Sequence, residues 1–243
     1  MESNSHTVLF FSKDHGGVLT FIPIIKKLLK NKIIKNVITI SHNVSEQLFF
    51  DENIGTIPIP KEYTNTEIEG FFDTIISIHN PSLIVTGTSR KKVDEQFSLE
   101  QYVIKVSKRH NIKTISILDF WGFYEERFPK FNGCLLNNYI PDIVCCLDEI
   151  CRTDLIKLGV PENKLKITHN PHYHTLPCPL KRYENNSFEF NVLYVSQPIM
   201  KQYNNKKLGF DQLSNFLSLL KSFENTNWGN RKINIYFWQH PKE

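Results

Sequence analysis

The sequence predicts an α/β protein with a doubly wound parallel sheet, as in Rossmann-like domains, followed by the beginning of a second Rossmann-like domain. Three observations lead to this prediction. Short apolar or β-branched runs, typical of strands covered on both faces, recur along the chain. Amphipathic segments long enough to be helices separate these runs, and such alternation is typical of a parallel sheet. A further strand, helix and strand follow a proline-containing stretch near residue 180.

The first part of the chain contains five predicted strands: Val8–Phe11, Asn36–Ile40, Leu83–Thr86, Thr114–Leu118 and Ile143–Leu147. The first helix is predicted where apolar residues repeat at helical spacing after the first strand, between Val18 and Leu29. Pro23 lies inside that repeat. We therefore expect the regular helix to begin close before Pro23 or to bend there.

Two later helices have clear end signals. The helix near residues 95–110 has cations in its last turn, and Asn111 is available for a left-handed cap. The helix near Glu149–Leu158 is expected to start at Asp148 as its N-cap and to stop at Gly159.

The domain boundaries are predicted from a change in composition. Residues 171–189 contain prolines without any periodicity, which is typical of a linker. Residues 1–170 form the predicted first domain. Residues 190–243 hold two predicted strands around one helix, a unit smaller than a usual domain. This unit either extends the first sheet or opens a second, truncated domain.

Composition excludes several classes of protein. Hydrophobic residues make up 40% and charged residues 22%, and the net charge of +4 is spread over the chain, so no nucleic-acid surface is predicted. The five cysteines are odd in number and indicate no disulfide framework. No signal-like or membrane-spanning run is present, which predicts a cytoplasmic protein. The GxGxxG fingerprint of nicotinamide and flavin enzymes is also missing, so no such cofactor is expected.

The candidate site lies where ligands bind in open parallel sheets, beyond the carboxyl ends of the strands. After the first strand, Gly16 and Gly17 would let the backbone approach a ligand, and His15 could act as a base. The alternative for this segment is a plain turn with a solvated histidine. After a later strand, Thr88 and Ser89 could hold a phosphate or a sugar, or form an ordinary polar turn.

A third segment combines acids with aromatic residues. Asp119 follows a predicted strand, Trp121 lies in an aromatic loop, and Glu125 and Arg127 come next. Aromatic faces beside carboxylates suit a sugar ring, although such clusters also serve as core packing. The three histidines of residues 169–174 have no acid or cysteine at suitable spacing, so we predict no metal site.

Taken in order, these segments resemble the GT-B superfamily, which includes nucleotide-sugar glycosyltransferases and UDP-N-acetylglucosamine 2-epimerases. The most specific run extends from Pro141-Asp142 to His169-Asn170-Pro171, with His169 where glycine is usual. Ser196-Gln197-Pro198 and the terminal His240-Pro241-Lys242-Glu243 resemble segments of polysaccharide-, capsule- and teichoic-acid-type transferases. Thr88 stands where the epimerases carry an aspartate.

This resemblance implies a glycosyltransferase that moves a sugar from a nucleotide sugar to a glycan or lipid-linked acceptor. Its first domain would bind the acceptor, with His15 or Asp119 as the base and Glu125 as a further candidate. The substrate-binding residues would be Gly16, Gly17, Thr88, Ser89, Trp121, Arg127, Ser196, Gln197 and His240. No cofactor or metal is implied, and a lipid-linked acceptor would bring peripheral membrane contact.

Family members usually continue well past the His-Pro segment, so this chain is expected to be the N-terminal part of such an enzyme. The alternatives are a non-catalytic, glycan-binding fragment and an epimerase-like enzyme.

Overall fold

The computed structural model describes residues 6–32, 34–60, 62–91, 95–177, 189–202 and 209–239. The chain forms two compact units, Met1–Pro177 and Cys178–Glu243. The first unit extends past residue 170 because a 3-10 helix, Pro171–Thr175, packs against the first α-helix. Residues 178–188, within the predicted linker, lie outside the described residues.

The first unit is built on a seven-stranded sheet in the order β3-β2-β1-β4-β5-β8-β9, in which every pairing is parallel. A small antiparallel pair, β6-β7, forms a separate hairpin. The strands are β1 (Thr7–Phe11), β2 (Asn36–Ser41), β3 (Ile57–Pro58), β4 (Leu83–Thr86), β5 (Lys113–Ile117), β6 (Lys130–Phe131), β7 (Cys134–Leu135), β8 (Ile143–Cys146) and β9 (Leu165–Ile167).

Helices connect these strands. The α-helices are α1 (His15–Lys30), α2 (Val44–Asp51), α3 (Asn65–His79), α4 (Leu99–Arg109), α5 (Tyr124–Arg127) and α6 (Glu149–Leu158). Shorter 3-10 helices cover Asn137–Tyr139 and Glu162–Lys164, besides the one that packs on α1. The predicted doubly wound parallel sheet is therefore confirmed.

The side chains of β1 show why the sheet is covered on both faces. Leu9 and Phe11 belong to a core cluster that includes residues of α3 and α4. Val8 and Phe10 point to the opposite face and pack with residues of α1. This alternation follows from the period of two residues along a strand. All four side chains are buried, and β1 is an interior strand of the sheet because it pairs with β2 on one side and β4 on the other.

The expected start of the first helix close before Pro23 was wrong, and the alternative, a bend at Pro23, stays a prediction. Helix α1 begins at His15 and passes through Pro23. Proline removes one backbone hydrogen bond in a helix interior. Here the burial of Phe21, Ile22 and Ile25 on the same helix outweighs that loss.

The predicted helix ends are confirmed. Asp148 caps α6 by accepting the Cys151 backbone N–H at 2.8 Å. Gly159 follows α6 with a φ of 103°. Asn111, after α4, takes the left-handed conformation with a φ of 57°.

The second unit contains a two-stranded parallel sheet, β10 (Glu189–Val195) with β11 (Lys232–Trp238). Helix α7 (Ile199–Gln202) and helix α8 (Gln212–Glu224) lie between these strands in the chain. A capping box at Asp211 starts α8. Among the residues described in the two units, no helix has the length and apolar character needed to cross a membrane.

Candidate functional site

The carboxyl ends of β1, β4 and β5 lie side by side, because these strands are parallel neighbours in the sheet. The residues that follow these ends form what we call the carboxyl edge. It contains Ser12 to Asp14 after β1, Gly87 to Arg90 after β4, and Asp119 after β5. This edge is where ligands bind in open parallel sheets.

Ser12, directly after β1, lies where the first turn of α1 and the residue after β4 come close together. Its side chain is fully buried between two glycines. A Cβ on Gly17 would lie 2.1 Å from the Ser12 Oγ, and a Cβ on Gly87 would lie 2.3 Å from it. Both positions therefore need glycine because of packing inside the protein. The proposed role of Gly17 in lining a substrate cleft remains a prediction.

Asp119 lies against the first turn of α1. A Cβ on Gly16 would come within 2.1 Å of the Asp119 Oδ2, so glycine at this position makes room for the carboxylate. The other oxygen, Oδ1, accepts a hydrogen bond from the Arg127 Nη1 at 2.9 Å. Sequence reasoning selected Gly16, Asp119 and Arg127 separately, and the structure brings them together.

Arg127 joins two strand ends. Its Nη1 also donates to the Thr88 Oγ1 at 2.7 Å, so it ties the residues after β4 to Asp119. The side chain is buried, and its Nε atom has no hydrogen-bond partner among the described residues. A buried guanidinium paired with a carboxylate holds the geometry of both partners.

The first turn of α1 keeps its backbone donors available. Asp14 occupies the N-cap position, but its side chain does not cap the helix. His15 is exposed, and no described residue hydrogen-bonds to its ring. Free N–H groups at a helix start attract negative charge and hydrogen-bond acceptors.

Glu100 is a buried acid that sequence reasoning missed. Its Oε1 accepts the Lys13 backbone N–H at 2.8 Å and also the Ser89 hydroxyl, so it links the segments after β1 and β4. Burial raises the pKa of Glu100, and the negative charge of Asp14 adds to this shift. Its helical spacing to the buried Val103 could have indicated that Glu100 faces the core.

The aromatic loop, residues 120–123, follows Asp119. Phe120 and Trp121 are partly exposed, and their rings meet edge to face. The Trp121 Nε1 donates to the Asp148 Oδ2 at 2.8 Å. The hydrogen bond from the Cys151 backbone N–H, followed by this one from Trp121, holds the pKa of Asp148 below its usual range.

The backbone of the aromatic loop is strained. Gly122 and Phe123 have φ angles of 90° and 55°. A bulky residue in the left-handed region costs on the order of 1–3 kcal/mol and needs surroundings that fix it. The Arg90 guanidinium lies 3.7 Å from the centre of the Phe123 ring and is ion-paired with Glu126 at 3.5 Å.

The remaining predicted site residues are Glu125 in the first unit and Ser196, Gln197 and His240 in the second. Glu125 is exposed on α5. In the second unit, Ser196 is buried after β10 and donates its N–H to the Trp238 carbonyl at 2.9 Å, while Gln197 is exposed. His240 lies outside the described residues.

The histidines near residue 170 have local contacts. His169 has a φ of 59°, a left-handed conformation that explains why glycine is usual at this position in the family it resembles. Its ring hydrogen-bonds to the Leu147 carbonyl at 2.9 Å. Within the described parts of both units, no three His, Cys, Asp or Glu side chains are grouped so that they could hold a metal ion.

The cysteines near β8 are packing residues. Cys146 and Cys151 are fully buried in one core cluster, Cys145 is half-buried and Cys134 is exposed. Hydrogen bonds from Cys146 and Tyr124 lower the pKa of Cys151. Cys178 lies outside the described residues.

Comparison with known proteins gives the fold. No protein-family model matches the sequence, and no curated protein sequence matches it either. Among solved structures, the UDP-GlcNAc 2-epimerase from Methanocaldococcus jannaschii matches 97% of this chain with a TM-score of 0.58 and 13% identity. This chain covers 66% of that epimerase and 63% of the one from Rickettsia bellii, less than two thirds of either.

Glycosyltransferases match as well. MurG from Acinetobacter baumannii matches 95% of this chain, which covers 65% of MurG, with a TM-score of 0.52 and 11% identity. A glycosyltransferase from Rickettsia africae matches 97% of this chain, which covers 69% of it, with a TM-score of 0.53 and 12% identity. These epimerases and transferases share one architecture, and the chain therefore has a GT-B-type fold.

Proposed function

We propose that the chain is the acceptor-binding part, with the start of the donor-binding part, of a glycosyltransferase that uses a nucleotide sugar. One observation carries this proposal: the Asp119 carboxylate is held at the carboxyl edge between the buried Arg127 and the first turn of α1. A fixed carboxylate at this edge is suited to bind and deprotonate an acceptor hydroxyl. The likeness to MurG and other transferases supports the reaction class by analogy of fold.

Asp119 would act through one oxygen. Arg127 occupies Oδ1, so an acceptor hydroxyl would approach Oδ2. As the hydroxyl oxygen forms its bond to the anomeric carbon, its proton passes to Asp119. The bond from the anomeric carbon to the diphosphate breaks, and the diphosphate leaves with the electron pair.

The other candidate residues have supporting roles in this proposal. Thr88 and Arg127 orient Asp119, because Arg127 contacts both. His15 is the second candidate base, but its exposed ring has no described partner to orient it. Ser196, Gln197 and His240 would contact the nucleotide sugar, with His240 facing its diphosphate. Glu125 remains a candidate for contact with the acceptor.

Two measurements on the full chain test the proposal. Nucleotide sugars should raise the unfolding temperature, because binding to the native state stabilises it. A product assay with UDP-GlcNAc and other sugar nucleotides should detect transfer that is lost in Asp119→Asn and kept in the exposed control Glu46→Gln. Absence of both stabilisation and transfer for UDP-, GDP- and CMP-sugars would refute the assignment.

An epimerase-like reaction is the second candidate, because epimerases are among the structures that match this chain. One of them, from M. jannaschii, was solved with UDP-GlcNAc and UDP. Thr88, whose hydroxyl accepts from Arg127, stands where these enzymes are expected to carry an acid. Incorporation of solvent deuterium into UDP-GlcNAc would identify this activity. If neither reaction occurs but glycans bind, the chain is a binding module.

A further inference from the structure

We propose that the aromatic loop is a platform on which the uncharged pyranose ring of a glycan stacks, and that Asp148 is the residue that positions Trp121. The inference rests on the proposed function, because it names the class of acceptor that the carboxyl edge would take.

The first argument is that the Trp121 ring is held in place but remains accessible. Its indole N–H donates to the Asp148 Oδ2 at 2.8 Å, and 39% of the residue is exposed. The other oxygen of Asp148 accepts the Cys151 N–H at 2.8 Å, so this one carboxylate anchors the ring to the start of α6. A ring fixed before binding loses less conformational entropy when a ligand stacks on it.

The second argument is the strained backbone next to this ring. Phe123 keeps a φ of 55°, and the Arg90 guanidinium packs on its ring at 3.7 Å. Arg90 is itself held by Glu126. Strain that the surroundings fix in this way clusters at ligand sites.

The third argument concerns the charge of the ligand. Two carboxylates lie near this stretch, Asp119 directly before the loop and Asp148 at the indole N–H of Trp121. The two arginines that contact the loop or Asp119 are both ion-paired, Arg90 with Glu126 and Arg127 with Asp119. An anionic sugar would therefore meet negative charge, whereas the hydroxyl groups of a neutral sugar can donate to carboxylate oxygens.

The test uses the full chain labelled with ¹⁵N at its tryptophans. Trp121, Trp228 and Trp238 give three indole N–H signals, and Trp121→Phe identifies the first. Chitotetraose and maltotetraose should shift the Trp121 signal and leave that of Trp228, which donates to the Phe223 carbonyl at 3.0 Å. The proposal is overturned if neither neutral probe shifts the Trp121 signal. It is also overturned if the anionic probes, sialyllactose and a hyaluronan tetrasaccharide, shift that signal as much as the neutral ones do.

The role of Asp148 is tested by Asp148→Asn. Asparagine caps a helix as well as aspartate does, so the fold and the unfolding temperature should be kept. Its NH₂ group would face the Trp121 N–H as a second donor, so the ring loses its anchor. We expect the Kd for the neutral glycan to rise about threefold to fivefold, and about tenfold in Trp121→Ala.

A double variant separates positioning from general stability. In the Trp121→Phe background no indole N–H remains, so adding Asp148→Asn should leave glycan affinity unchanged. An equal loss in both backgrounds would overturn the positioning role. Nucleotide-sugar binding without glycan binding overturns the platform and leaves the proposed function standing. Glycan binding at Trp121 without any use of nucleotide sugars supports the platform and removes the transferase.

Discussion

Gly17→Ala is expected to destabilise the first unit, although alanine is the better helix former. Two opposing terms set the size of this effect. In a helix interior alanine is favoured over glycine by up to about 1 kcal/mol. The new Cβ would lie 2.1 Å from the Ser12 Oγ and 2.8 Å from the Ser12 Cβ. Ordinary carbon contacts begin near ~3.5 Å.

The steric term is the larger one. Ser12 is fully buried, and Gly87 packs on its other side, so its side chain cannot move away freely. Overpacking of this kind costs about 1–3 kcal/mol, and we expect the upper part of that range. The net loss in the free energy of unfolding is then about 1–2 kcal/mol after the helix term is subtracted. For a chain of this size the midpoint temperature should fall by about 2–8 °C.

The chain offers a matched control in Gly70, which lies inside α3. A Cβ there would have no heavy atom within 4 Å. Gly70→Ala should therefore raise the free energy of unfolding by about 0.5–1 kcal/mol. Urea and thermal unfolding followed by circular dichroism would measure both variants.

A rescue variant makes the reasoning refutable. Ser12→Gly removes the Oγ and Cβ of Ser12, the two atoms that would lie too close to the new Cβ. Gly17→Ala should therefore no longer be destabilising in that background. If Gly17→Ala alone stabilises the protein as much as Gly70→Ala does, the close approach of β1 and α1 described above is wrong.

Three further predictions follow from the carboxyl edge and the core. The pKa of Glu100 is raised in the folded state, so the folded protein keeps the carboxyl proton to higher pH than the unfolded chain does. The free energy of unfolding should therefore fall as the pH rises from the ordinary glutamate pKa to the raised pKa of the folded state. Glu100→Gln should flatten that decline in urea titrations at several pH values. Arg127→Met leaves the mostly buried Asp119 without its partner and should lower the free energy of unfolding by about 3 kcal/mol, and adding Asp119→Asn should recover part of the loss. Iodoacetamide should label the exposed Cys134 in the native protein and the buried Cys146 and Cys151 only after unfolding, as peptide mass spectrometry would show.

The sequence predicted the elements whose signals are local. Strand β4 and helix α6 have the bounds that the apolar runs and caps indicated, because Asp148 and Gly159 act on their own neighbours in the chain. Strand β9 has only three residues and contains two exposed ones, so it carries no readable pattern. Its existence depends on pairing with β8.

The candidate site was predictable as a set of positions but not as a set of contacts. Asp119 and Arg127 were selected because acids and cations at a strand end suit ligand binding. The hydrogen bond from Arg127 to Thr88 joins residues 39 positions apart, and the bond from Trp121 to Asp148 spans 27 positions. Only the three-dimensional packing sets such pairs. Glu100 was missed because an acid on a helix is normally solvated.

The interior position of β1, between β2 and β4, has a consequence for the protein during its synthesis. After Phe10 and Phe11 have left the ribosome, the β4 side of their strand is completed only when residues about 75 positions later have emerged. At about 5–20 residues per second this delay lasts about 4–15 s. During that interval the backbone N–H and C=O groups on the β4 edge of β1 are unpaired, and an open apolar strand edge of this kind favours pairing with other chains.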